Sequence, residues 1–131
     1  MYNVNGYIMK NKRIVIVEDE KSIRDLYQYK LKISGYDVRS TSDGESGLEL
    51  IREFMPDLIL LDLMMPVMNG EDMLEKLREF DWAKDIRVIV LTNISKDEAP
   101  AKLRFLGVDR YVVKAHHTPQ QIVDFVKTVL S

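Results

Sequence analysis

Cysteine is missing from the chain altogether. Disulfides and thiolate metal sites are thereby excluded, which fits a reducing compartment, and the cytoplasm is the expected location. Neither sign of charge dominates: 19 Lys and Arg face 21 Asp and Glu, for a formal net charge of −2. That gives no electrostatic case for nucleic acid or an anionic membrane as a direct partner. Apolar runs of membrane-spanning length and signal-peptide patterns are also lacking, so no membrane association is expected. Histidine is limited to the adjacent pair His116 and His117. With no further ligand-type residues at helical spacing, they read as solvated loop residues. What remains is 131 residues, enough for one domain with a sizeable core and not for two. Residues 1–11 carry no pattern and are expected to form a mobile N-terminal extension, with the domain over 12–131.

Against these absences stand short aliphatic runs, each ending in a polar residue. Leu58-Ile59-Leu60-Leu61 reads as a strand buried on both faces, and it ends in Asp62. Ile14-Val15-Ile16-Val17 is a second such strand, broken by Glu18-Asp19-Glu20. Tyr36 to Ser40 is more polar and suits an edge. Val88 to Leu91 runs into Thr92, and Tyr111-Val112-Val113 into Lys114. Helices are expected between them. The first carries Ile23, Leu26, Tyr27 and Leu31 at helical spacing, with Gly35 at its end. The second opens on a Ser42/Glu45 capping box and the third carries Met73, Leu74 and Leu77. A short fourth helix is expected from about Asp97 to Gly107, with Pro100 in its first turn. The last opens on Thr118-Pro119-Gln120-Gln121. Such alternation implies an α/β fold, a five-stranded parallel sheet with helices on both faces.

Parallel strands bring their carboxyl ends to one edge, where ligands and chemistry collect in open α/β sheets. Glu18, Asp19, Asp62, Thr92 and Lys114 then share that edge. Three converging carboxylates repel one another unless a cation intervenes. Oxygen ligands without His or Cys select a hard, partly hydrated cation, and Mg²⁺ fits. A hydroxyl and an ammonium opposite could hold an added phosphoryl group. Each residue also has a plain structural alternative. Asp62 could close its strand, Glu18 and Asp19 could favour a helix dipole, and Lys114 could snorkel. Coincidence at every strand end weighs against these, whereas for Tyr111 both readings stay open.

The runs Val17-Glu18-Asp19-Glu20, Leu61-Asp62-Leu63-Met64-Met65-Pro66, Asn69-Gly70, Leu91-Thr92 and Tyr111-Val112-Val113-Lys114 carry a family likeness. Over essentially all of 12–130 the chain resembles the receiver domain of two-component response regulators, of the chemotaxis-receiver kind. The resemblance implies the flavodoxin-like strand order 2-1-3-4-5. It implies that Asp62 accepts a phosphoryl group from a sensor histidine kinase or a histidine phosphotransfer protein. Glu18, Asp19, Asp62 and the Met64 main-chain carbonyl would hold Mg²⁺, Thr92 and Lys114 would contact the phosphoryl oxygens, and Tyr111 would be a switch residue. The expected readout is the surface of helix 4, strand 5 and helix 5, acting on a downstream protein or on an output domain outside this chain. The domain would then be a switch and not an enzyme turning over a metabolite.

Two alternatives share the architecture. A flavin-binding module needs a Gly/Ser/Thr-rich loop after the first strand, where Glu18-Asp19-Glu20 would repel phosphate. A Mg²⁺-dependent aspartyl-phosphate phosphatase of the haloacid-dehalogenase kind carries a second Asp two residues after the nucleophile, where this chain has Met64. One departure from the receivers concerns Lys114, which they usually follow with a cis proline; here Ala115 follows. A cis bond without proline costs roughly 3–4 kcal/mol. A trans bond is therefore expected, with the loop displaced through His116 and the ammonium still directed at Asp62.

Overall fold

The computed structural model describes residues 11–131. Positions 1–10 of the expected extension lie outside the described residues. The four aliphatic runs and their more polar neighbour all form strands: β1 (Arg13–Val17), β2 (Asp37–Thr41), β3 (Leu58–Leu61), β4 (Arg87–Thr92) and β5 (Arg110–Val113). They make one parallel sheet in the order β2-β1-β3-β4-β5. The polar strand β2 is indeed an edge, and β3, whose four residues are all buried, lies at the centre.

Successive strand residues point to opposite faces, and both faces are covered. Val15, Val17, Ile59, Leu61, Val88 and Val90 pack against α2 (Gly44–Phe54) and α3 (Gly70–Arg78). Ile14, Ile16, Leu58, Leu60, Ile89 and Leu91 pack against α1 (Lys21–Ile33) and α4 (Pro119–Leu130). The last helix starts as its sequence dictates. Thr118 accepts from the Gln121 N–H, Gln121 returns the bond to the Thr118 N–H, and Pro119 fills the first turn.

Three local expectations are corrected. Helix α2 is capped by Asp43, whose carboxylate accepts the Ser46 N–H, and not by a Ser42/Glu45 box. Leu26 in α1 is exposed, so the buried stripe of that helix narrows to Tyr27 and Leu31. The expected fourth helix does not form; two 3₁₀ turns, Lys96–Glu98 and Ala101–Phe105, stand in its place. The cause is Pro100. A residue before proline is pushed out of the helical region, and Ala99 is extended with ψ 142°. Helix could begin only after Pro100, and the chain turns at Gly107 with φ 68°. That leaves too few residues to offset the cost of nucleation.

The 3₁₀ segment is anchored at its far end by Arg78. Its guanidinium donates to the carbonyls of Leu106 (2.8 Å), Gly107 (3.1 Å), Ala83 (2.7 Å), Lys84 (3.3 Å) and Ile86 (3.0 Å). One side chain thus ties the end of α3 to the start of β4 and to the turn before β5. Arg78→Ala should cost about 2–3 kcal/mol in urea unfolding, because several carbonyls lose a charged donor together. A loss below about 0.5 kcal/mol would contradict that role.

Candidate functional site

Register puts the acidic residues together. Val17 pairs with Leu61, so the residues that follow, Glu18 and Asp62, stand side by side at the carboxyl edge. The Asp62 N–H still donates to the Val17 carbonyl (3.0 Å), and the Glu18 N–H to Thr41 (3.0 Å). Both carboxylates are therefore held by the last rungs of the sheet. Glu18 is 3% exposed and Asp62 6%, while Asp19 faces solvent. One oxygen from each of Glu18, Asp19 and Asp62 lies within 4.8 Å of the others. Arg24 fixes the loop from one helical turn away, donating to the carbonyls of Glu18 (2.8 Å) and Asp19 (3.4 Å).

Lys114 reaches this cluster from the end of β5. Its ammonium donates to Glu18 Oε1 at 2.6 Å and Asp62 Oδ2 at 3.1 Å. No cis peptide bond occurs among the described residues, so Lys114-Ala115 is trans and the ammonium is directed at Asp62. Residues Lys114–His116 form a 3₁₀ turn that leads into α4. His117 is not simply solvated: its ring meets Phe125 edge-on at 5.0 Å and is half-buried.

The other wall is the turn after β3. The Met64 N–H donates to Asp62 Oδ1 (3.2 Å). Val67 has φ 69°, and the Met68 N–H reaches back over it to the Pro66 carbonyl (2.7 Å). Helix α3 then starts against the acceptor loop itself, with the Gly70 N–H donating to Leu63 (3.0 Å). A Cβ on Gly70 would lie 2.2 Å from the Asp62 carbonyl oxygen and 2.8 Å from Leu63 Cα. Only glycine allows that approach, which explains the Asn69-Gly70 pair better than a turn alone. Asn69 caps the helix through its Oδ1, which accepts from the Asp72 N–H (2.9 Å).

Thr92 is fully buried at the end of β4. Its Oγ1 accepts the Ile94 N–H (3.4 Å), which leaves its own O–H free to donate. The Ile94 carbonyl in turn accepts from the Tyr111 hydroxyl (2.8 Å). A single residue, Ile94, therefore connects the threonine to the tyrosine. Sequence reasoning missed the main-chain link through Ile94, Arg24 and the reason for Gly70. No side-chain pattern marks the first, since only its main chain takes part.

The electrostatics of the cluster are frustrated. Burial and the neighbouring Asp62 push the Glu18 carboxyl up to about 8, against the pull of the Lys114 ammonium. Burial opposes the charge on Lys114 too, but its bonds and proximity to Glu18 and Asp62 outweigh this and raise it. Glu18 Oε2 is buried with no hydrogen-bond partner among the described residues. One ammonium does not satisfy three carboxylates, and the oxygen-only donor set fits a hard divalent cation.

A parallel sheet of this order with an acidic cluster and a lysine at its carboxyl edge defines a receiver-like α/β domain. The response regulator receiver domain profile matches residues 14–127, and the chain belongs to that family. It is 38% identical over 122 residues to the alkaline phosphatase synthesis transcriptional regulatory protein PhoP of Bacillus subtilis, covering 92% of this chain and 49% of that protein. It is 35% identical over 122 residues to the probable transcriptional regulator ycf27 of Porphyridium aerugineum, covering 93% and 49%. The chain thus spans about half the length of these curated relatives. Among solved structures it resembles chemotaxis response regulator CheY4 of Vibrio cholerae, with TM-score 0.84, 25% identity, and 92% and 99% of the two chains covered. A CheY-like receiver domain protein from Methanospirillum hungatei gives TM-score 0.82 at 29% identity, covering 92% and 94%. Residues 14–127 thus form a receiver domain of the response regulator family.

The raised Glu18 carboxyl has a measurable sign. Folded Glu18 keeps its proton up to about pH 8, whereas the unfolded chain releases it near the ordinary 4.5. Between those values the unfolded state binds fewer protons, so stability falls as pH rises. Without divalent cations, the parent should lose about 2 kcal/mol or more of stability between about pH 5 and 8, and Glu18→Gln distinctly less. Urea unfolding across that range checks it, and equal slopes in the two proteins would contradict it.

Proposed function

We propose that Asp62 is the phosphoryl acceptor, supplied by a sensor histidine kinase or a histidine phosphotransfer protein in the cytoplasm. The observation that carries this is the Asp62 carboxylate itself, held at the sheet edge within 3.1 Å of the Lys114 ammonium and among two further carboxylates. An Asp62 oxygen attacks phosphorus; the phosphorus–nitrogen bond to the donor imidazole breaks, and the imidazole leaves with its proton. Lys114 and the free Thr92 O–H then bind the new phosphoryl oxygens. The carboxylates of Glu18, Asp19 and Asp62, with the Met64 main-chain carbonyl, would hold Mg²⁺, which supplies positive charge to the phosphoryl oxygens.

Phosphorylation adds close to two negative charges and three strong acceptors. When Thr92 turns its hydroxyl to them, Ile94 loses or shifts its N–H acceptor, and the Tyr111 bond to the Ile94 carbonyl shifts with it. The change reaches the 3₁₀ segment 96–105, β5 and α4, which together replace the helix 4–strand 5–helix 5 surface expected from the sequence. The relatives are transcriptional regulators about twice as long as this chain, which favours an output domain or partner protein as receiver of the signal. The domain modifies itself and turns over no separate metabolite.

With a small phosphodonor and Mg²⁺, mass measurement should show one added phosphate in the parent and none in Asp62→Asn; undiminished labelling of the variant would sink the assignment. The phosphorylated form should also be long-lived. Met64 and Ile94, two residues beyond Asp62 and Thr92, offer no polar side chain to orient an attacking water. Met64→Asn should therefore lose phosphate faster than the parent, and an unchanged or slower loss would count against this.

A further inference from the structure

A cavity of about 570 Å³ opens beside the acceptor, bounded by Asp19, Leu63, Met64, Asn69, Glu71 and Ile94 among others. Its hydrogen-bonding side chains are Asp19, Asn69 and Glu71. Asp19 belongs to the carboxylate cluster, and the Asn69 Oδ1 is committed to capping α3. Glu71 is left over. Its Oε2 is buried, with no hydrogen-bond partner among the described residues. The next two acids of α3 differ: Asp72 and Glu75 both pair with Lys102 of the 3₁₀ segment. Glu71 thus puts a carboxylate with no direct ion pair among the described residues in the wall of this space, beside Leu63, Met64, Met65 and Ile94. Its charge is felt nearby, since burial and the charges of Asp62 and Glu71 together hold the Tyr111 phenol above its ordinary range.

We propose that Glu71 is a specificity-determining residue for phosphorylation, disfavouring small, highly charged phosphodonors and so reserving Asp62 for donors presented on a protein surface. The inference rests on Asp62 being the acceptor. A donor must bring its phosphoryl group up to Asp62, alongside a wall that carries Glu71. Across a cavity of this size, charges interact within about a Debye length at physiological salt, so screening is incomplete. A free anion meets this repulsion with its whole charge. A phosphohistidine arrives with surrounding protein whose contacts can offset it. Met64, largely exposed at this rim, offers apolar contact to such a partner and none to a free anion.

Two small donors of different charge isolate the effect. Acetyl phosphate is a dianion near neutral pH. Asp62 attacks its phosphorus, the phosphorus–oxygen bond breaks, and acetate leaves with the electron pair. Phosphoramidate is largely a monoanion; its phosphorus–nitrogen bond breaks and ammonia leaves with the proton already on nitrogen. The rate constant for phosphate uptake is measured by mass with each donor, in Mg²⁺. Glu71→Gln should speed acetyl phosphate about tenfold and phosphoramidate about threefold, a charge dependence that mere loosening would not produce. Both gains should shrink at high salt, and Glu71→Asp, which keeps the charge, should retain the parent's donor preference. If Glu71→Gln does not fold, Glu71→Leu carries the same expectation. Equal factors for the two donors, or no change, would overturn the proposal. A parent that labels with neither donor contradicts the phosphoacceptor assignment itself. A parent that labels normally, with an unchanged donor ratio in the variant, contradicts the role of Glu71 alone.

Discussion

Charge crowding at one sheet edge is the constraint on which the rest of this structure depends. Glu18 and Asp62 are fixed by the same β1–β3 register that builds the core, so neither can retreat from the other without breaking a ladder bond. Lys114 answers part of the repulsion, yet Glu18 Oε2 remains without a partner and its carboxyl is pushed up to about 8. A fold that served stability alone would satisfy or remove such a group, since a buried carboxyl oxygen left without a hydrogen bond is costly. The oxygen-only cluster fits a hard divalent cation, in keeping with the proposed phosphoacceptor role.

Under the proposed function, the same site offers a route from a local event to a change of surface. Thr92 is buried and its hydroxyl oxygen accepts the Ile94 N–H, while Ile94 holds the Tyr111 hydroxyl through its carbonyl. These are two hydrogen bonds to one residue, at 3.4 and 2.8 Å, and they link the threonine to the tyrosine through the Ile94 main chain. The segment beyond is held at one end by Arg78 and near its middle by the Lys102 pairs with Asp72 and Glu75. The segment itself is built of two 3₁₀ turns, Lys96–Glu98 and Ala101–Phe105. Such short turns resist displacement less than a regular helix would.

The sequence discloses this molecule unevenly, and the reasons are physical. Strands were legible because β1, β3 and β4 are buried on both faces and spell continuous aliphatic runs. The location of the candidate site was legible because parallel strands bring their carboxyl ends together, so Glu18, Asp19, Asp62, Thr92 and Lys114 could be placed at one sheet edge from the sequence. The fourth helix was misread because Pro100 was allowed a first-turn position while its effect on Ala99 was overlooked. The α2 cap was assigned one residue early, since Ser42 and Asp43 are both good capping residues and only the backbone decides between them. Ile94, Arg24 and Arg78 act on or through main-chain groups, which leave no pattern in a sequence. Glu71 was passed over because an acid in the first turn of a helix is unremarkable until its oxygen is found buried and alone.

If the frustrated carboxylates exist to hold a divalent cation, binding it must expel the proton that Glu18 retains. Calorimetric titration of Mg²⁺ near neutral pH, in buffers of different ionisation heat, tests this directly. The account predicts saturable binding to the parent with net proton release, and weaker binding without that release in Glu18→Gln. Absence of Mg²⁺ binding, or binding whose proton release persists unchanged in Glu18→Gln, would contradict it.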